Sequence, residues 1–152
     1  MKVGFGTKIH PFTNIYCESI GNNVTVANFV EIGKDVKVGN FCSIQAFAFI
    51  PEGVTIGDSV FVGPHVCFVN CRHPMAHRKV GTYDIEPTLV EDKVVIGAGS
   101  IIMCGVTIGK GAMIGAGSLV LRDVPAGEVF IQKREQIIYG KPISQIIEES
   151  RM

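Results

Sequence analysis

Residues 20–68 read IGNNVTVANFVEIGKDVKVGNFCSIQAFAFIPEGVTIGDSVFVGPHVCF, and every sixth one is a large apolar residue: Ile20, Val26, Ile32, Val38, Ile44, Ile50, Ile56, Val62 and Phe68. Two positions ahead of most anchors stands a small or β-branched residue: Val24, Val30, Val36, Cys42, Ala48, Val54, Val60 and Val66. Glycine follows several anchors directly, at Gly21, Gly33, Gly39, Gly57 and Gly63. A period of six fits neither the 3.6-residue turn of an α-helix nor an uninterrupted strand. It fits a solenoid in which each hexapeptide is one short strand and one corner. Anchor and small residue point inward because strand side chains alternate faces. Glycine fits a corner where backbones approach closely. Three hexapeptides close one triangular coil, and stacked coils pair their backbones in a parallel β-helix.

The ladder resumes at Val90, Ile96, Ile102, Ile108, Ile114 and Val120, with Ser100, Val106, Ala112 and Ser118 in the small slots. Between the two runs lies NCRHPMAHRKVGTYDIEPTL, polar and carrying His73 and His77, which reads as a loop extruded from one corner over 69–89. A long loop inside a repeat domain is functional or disordered. Before Ile20, the anchors Ile9 and Ile15 slip by one residue, as an imperfect capping coil would. The chain therefore divides into a β-helix over 1–125 and a tail over 126–152. RDVPAGEVF leaves the repeat through Pro125 and Gly127, and Ser144 opens a short closing helix in ISQIIEESRM.

With 47% apolar residues and a formal charge of zero, the sequence reads as one ordered domain without a basic surface for nucleic acid or anionic membrane. No apolar run approaches the roughly 20 residues of a membrane span, and MKVGFGTKIHPF lacks a signal-peptide core, so a cytoplasmic location is expected. Five cysteines at irregular spacing read as reduced thiols, with Cys42 a buried filler.

His73 is suited to move a proton near neutral pH, and Asn70, at the loop's root, offers both a donor and an acceptor. A loop histidine tied to a backbone carbonyl is the plainer reading. Cys67, Cys71, His73 and His77 are zinc-ligand types, but C-x3-C-x-H-x3-H matches no familiar finger or ribbon. Gly97-Ala98-Gly99 and Gly115-Ala116-Gly117 belong to no phosphate-binding motif. They read as corners whose exposed N–H groups could polarise a thioester carbonyl.

These residues resemble the hexapeptide-repeat acyltransferases, a family of left-handed β-helix trimers that use acetyl-coenzyme A. VTIGDSVFVGPHVCFVNCRHP (54–74) is similar to the galactoside and maltose O-acetyltransferases. That resemblance implies His73 as general base and Gln45 as a sugar contact. PTLVEDKVVIGAGSIIMCGVTIGKGAMIGAGSLVLRDVPAG (87–127), with Gln45 and Asn70, looks more like the N-acetyltransferases of nucleotide-linked 3-amino sugars, which implies that Asn70 contacts the acceptor amine. The left hand of the coil, the homotrimer with sites between subunits and the cofactor contacts all come from this resemblance. The contacts it implies are the Ala98 N–H on the thioester oxygen, Ala116, Leu121 and Arg122 along the pantetheine arm, and Lys141 near the adenine. Arg122 reads equally as a solvated surface arginine. The sequence departs from the pattern at Val69, at Met75 and in the inserted IQKREQII of the tail.

The expectation is an acetyl-coenzyme A dependent acetyltransferase acting on the amine of a nucleotide-linked amino sugar, with no resident metal. The alternatives are sugar O-acetylation, a γ-carbonic-anhydrase-like metalloenzyme and a non-catalytic scaffold. For the metalloenzyme, His10 and His65 fall at no matching spacing.

Overall fold

The computed structural model describes residues 1–76 and 84–132. They form three parallel sheets wound as one solenoid. The first face stacks β1 (Lys2–Val3), β4 (Ser19–Ile20), β7 (Lys37–Val38), β10 (Val54–Ile56), β13 (Thr88–Val90) and β16 (Thr107–Ile108). The second stacks β2 (Lys8–Ile9), β5 (Thr25–Val26), β8 (Ser43–Ile44), β11 (Phe61–Val62), β14 (Val95–Ile96), β17 (Met113–Ile114) and β19 (Val129–Phe130). The third stacks β3 (Asn14–Ile15), β6 (Glu31–Ile32), β9 (Phe49–Ile50), β12 (Cys67–Phe68), β15 (Ile101–Ile102) and β18 (Leu119–Val120). This is the expected parallel β-helix, and the left hand implied by the resemblance is consistent with it.

Register follows the hexapeptide count. Phe61 lies opposite Ser43, 18 residues earlier, so three hexapeptides make one coil. Lys8 lies opposite Thr25, only 17 residues on, which is the slip that marks the first coil. Every anchor from Ile20 to Val120 is buried, and so is every small-slot residue. A column of Ile, Val and one Phe fills the prism. At about 25 cal/mol per Å² of apolar surface removed from water, that column is the main favourable term in folding. Ser100 and Ser118, the polar members, are satisfied in the wall: Ser100 Oγ donates to the carbonyls of Gly97 (2.8 Å) and Gly115 (3.1 Å), and Ser118 Oγ to Gly115 (2.6 Å).

One stretch behaves differently from its reading. RDVPAGEVF was expected to leave the repeat, yet Val124 bridges to Ile108 and β19 pairs with β17, so a partial seventh coil continues past residue 125. The proline is accommodated because Pro125 sits at a corner, where no ladder N–H is required. The proposed closing helix lies outside the described residues. No helix among the described residues is long and apolar enough to cross a membrane.

Three corners join the faces. The first, between the first and second faces, is ruled by an Asn/Asp column. The N–H of Phe5 donates to Asn22 Oδ1 (2.8 Å), that of Asn22 to Asn40 Oδ1 (2.8 Å), that of Asn40 to Asp58 Oδ1 (2.6 Å) and that of Asp58 to Asp92 Oδ1 (2.9 Å). Each side chain satisfies the orphan corner amide of the preceding coil, the economy that buried or crowded backbone demands.

Candidate functional site

The loop leaves the third corner, between the third and first faces, after Phe68. Its length shows in the register: Val62 pairs with Ile96, 34 residues on, where a plain coil takes 18. Its root is tied in three ways. Asn70 Nδ2 donates to the carbonyl of Glu52 in the coil below (3.2 Å), and the Asn70 carbonyl accepts from Glu86 N (3.1 Å). Arg72 forks onto Glu86, Nε to Oε1 at 3.1 Å and Nη2 to Oε2 at 3.0 Å, and Nη2 also donates to the Cys104 carbonyl (3.3 Å). Such two-pronged pairing fixes orientation as well as charge. It draws the Glu86 carboxyl below its ordinary value.

His73 projects from this root and is exposed. Beside it, a concavity of about 320 Å³ is lined by Asn70, Cys71, Pro74, Met75 and Ala76. Leu121 and Arg122 belong to the same corner two coils further on, both exposed. Arg122 forms no ion pair among the described residues and borders a second concavity of about 280 Å³ with Asp123, Pro125 and Phe130.

The other predicted residues stand elsewhere. Gln45, Ala98 and Ala116 lie on the second corner, between the second and third faces, where Gln45 Nε2 donates to Ser43 Oγ (2.8 Å). Within one chain, then, the predicted set divides between two edges of the third face. Lys141 and His77 lie outside the described residues.

The second corner differs from the first in one respect that bears on chemistry. It has no side-chain column to satisfy its amides, and the N–H groups of Ala98 and Ala116 donate to no acceptor among the described residues. Gly99 (φ 67°) and Gly117 (φ 66°) follow them, and nothing lies within 4 Å of the place a Cβ on Gly99 would take. At Gly99 the corner is open, and the Ala98 and Ala116 N–H groups, without an acceptor among the described residues, line a strip suited to a slender chain carrying a carbonyl.

The same corner carries a feature that the hexapeptide count passes over. At the position taken by Gly99 and Gly117, the earlier coils place Phe12, Phe29, Phe47 and His65, all with φ between 58° and 63°. Their rings stack, with centroids 5.5, 5.0 and 4.8 Å apart and interplanar angles of 9°, 12° and 7°. The signal for it is the 18-residue spacing of Phe29, Phe47 and His65, visible only when the coil rather than the hexapeptide is taken as the unit.

All five cysteines are unpaired. Burial pushes the Cys17, Cys42 and Cys67 thiols up, and burial followed by the Glu86 charge does the same at Cys104. Neutral thiols are poor metal ligands and nucleophiles. Among the described residues, no group of three or more His, Cys, Asp or Glu is placed to hold a metal ion.

Residues 87–122 match the sequence profile of the family described as bacterial transferase hexapeptide (six repeats). The bifunctional protein GlmU of Heliobacterium modesticaldum is 28% identical over 86% of this chain and 34% of its own length. A Schizosaccharomyces pombe protein, named as a candidate acetyltransferase, is 35% identical over 79% of this chain and 55% of its own. The chain thus spans about a third of GlmU and about half of the second relative. Among solved structures, the N-acyltransferase AntD of Bacillus cereus, in complex with dTDP and 3-hydroxybutyryl-CoA, superposes with a TM-score of 0.76 at 22% identity over 99% of this chain and 88% of that one. PerB of Caulobacter crescentus, in complex with CoA and GDP-perosamine, superposes with a TM-score of 0.69 at 24% identity over 82% of this chain and 53% of that one. At these identities the two superpositions establish the fold.

Proposed function

We propose that this hexapeptide-repeat chain is an acetyltransferase that moves an acetyl group from acetyl-coenzyme A to the amine of a nucleotide-linked amino sugar. The observation that carries the reading is the second corner, where two consecutive coils present the N–H groups of Ala98 and Ala116, which donate to no acceptor among the described residues, with open space beside Gly99. A donor already aimed at a thioester oxygen stabilises the charge that develops there as the nucleophile adds. Supporting it are the family match and two superposing structures whose partners are CoA thioester or CoA with a nucleotide or nucleotide sugar.

The division of the predicted residues between two corners supports a site assembled from two copies. The second corner of one copy supplies Gln45, Ala98 and Ala116. The third corner of its neighbour supplies Asn70, His73, Leu121 and Arg122. The third face between those corners exposes Phe49 (39%) and Ile101 (41%), apolar surface that cyclic packing of three copies would cover. In this arrangement Asn70 orients the acceptor amine, His73 lines the same side and Arg122 meets a phosphate of the cofactor. The neutral amine attacks the thioester carbon, the carbon–sulfur bond breaks, and the amine proton ends on the departing thiolate.

His73, exposed beside Asn70, keeps a second reading open, in which the acceptor is a sugar hydroxyl and His73 takes its proton. The test is product mass and base stability after incubation with acetyl-coenzyme A and amino-sugar nucleotides, with the melting temperature followed as the cofactor is added. A ligand held by the native state raises it. A chain that neither binds coenzyme A nor transfers acetyl is a scaffold, and the proposal fails.

A further inference from the structure

We propose that His65 is the proton-accepting residue at the junction of thioester and acceptor, and that the open face of its imidazole is a wall of the acyl site. The inference rests on the reading above, that the Ala98 N–H holds the thioester oxygen.

The placement follows from register. His65 N donates to the Ala46 carbonyl (3.0 Å), one residue from Gln45 in the coil below, and Gly99 N donates to the Pro64 carbonyl (2.8 Å) from the coil above. His65 is therefore one coil, about 4.8 Å, from the Ala98–Gly99 corner and one coil from Gln45. His73, by contrast, lies on a different corner of the same chain.

The chemistry of the column changes at this coil. Phe12, Phe29 and Phe47 keep an aromatic in a left-handed conformation that glycine or asparagine adopts more easily, and the stacking of each ring on the next offsets that strain. Stacking alone would be served by a fourth phenylalanine. The coil directly below the Ala98 amide instead carries histidine, the aromatic residue type whose ring nitrogen can take up a proton. Its lower face is covered by Phe47, and above it the stack stops because residue 99 is glycine. The elements packed on it, the corners below and above, present Phe47 and Gly99, neither of which titrates. His65 itself is exposed.

The acceptor nitrogen bonds to the thioester carbon as the carbon–sulfur electron pair leaves with sulfur. The proton lost by nitrogen passes to the unprotonated ring nitrogen of His65, and from there to the thiolate, which departs as the thiol.

The experiment uses the full chain with acetyl-coenzyme A, in the wild type, His65→Phe, which preserves the stack, and His65→Asn, which suits the backbone. The imidazole proton signal absent from both variants is that of His65. Saturating acetyl-coenzyme A is expected to shift it, and transfer to an amino-sugar nucleotide is expected to fall about 100-fold in kcat in His65→Phe, with KM for acetyl-coenzyme A little changed and the imidazole limb of the pH–rate profile gone. An unmoved His65 signal in protein whose melting temperature the cofactor has raised overturns the inference and leaves the acetyltransferase reading standing. So does a His65→Phe variant with the wild-type pH profile and kcat. If acetyl-coenzyme A leaves the melting temperature unchanged, the reading beneath it fails and takes this one with it.

Discussion

The side chain of Asn70 donates to the carbonyl oxygen of Glu52, 3.2 Å away and one coil below. That bond holds the residue in the wall of the 320 Å³ concavity and uses its amide nitrogen, so that the amide oxygen is the atom that would accept from an amine. Asn70→Ala removes both functions. The expected stability loss is about 1 kcal/mol, that of one net hydrogen bond, while kcat/KM falls about 100-fold if the oxygen orients the acceptor. Urea denaturation and steady-state kinetics on the same preparation separate the two effects. Equal small losses in both would remove Asn70 from the acceptor site.

The Arg72–Glu86 fork closes the loop's root and gives it a pH dependence. Arginine beside it lowers the folded-state pKa of the Glu86 carboxyl from 4.5. The contribution is therefore whole above that ordinary value and disappears as pH falls through the lower folded one. Melting temperatures of wild type and Glu86→Gln, measured from pH 7 down to about pH 3, should converge at the acid end. A gap that stays constant across that range means that the pair adds nothing through its charge.

The core and the corners should respond to different substitutions. Ile96 is fully buried in the anchor column, and Ile96→Ala should cost about 2–5 kcal/mol in urea. At Gly97, a Cβ would stand 2.4 Å from Ala116 N, against backbone that cannot turn aside. Gly97→Ala should therefore displace the Ala116 corner and weaken coenzyme A binding in calorimetry. Unchanged affinity would place the pantetheine arm elsewhere.

The anchors from Ile20 to Val120 were legible because burial acts on every repeat alike, so one period describes all of them. The aromatic column was not, since Phe29, Phe47 and His65 recur only once per coil and occupy an exposed corner that hydropathy does not register. The partial seventh coil was missed for a related reason. Pro125 and Gly127 signal a break in a strand, but here they fall at a corner where both are tolerated. Asn70, His73, Ala98 and Ala116 could be picked out singly, but their division between two corners depends on which face each hexapeptide occupies. That assignment shifts with the one-residue slip in the first coil and the loop's 16-residue lengthening of the register from 18 to 34.

Ala98→Pro tests the second corner with little disturbance to the fold. Proline has no N–H, so it deletes the donor proposed to meet the thioester oxygen. The backbone already takes proline there: Pro64 occupies the equivalent position one coil below, also preceded by a glycine, Gly63, as Ala98 is by Gly97. Because the Ala98 N–H donates to nothing among the described residues, its removal breaks no bond of the described solenoid. The melting temperature should stay close to that of the wild type. Loss of one such donor should lower kcat about 100- to 1,000-fold. Ala116→Pro removes the neighbouring donor one coil further on and should act on cofactor affinity more than on kcat. A folded Ala98→Pro protein with wild-type kcat would show that the thioester is polarised by another group and would withdraw the second corner from the site.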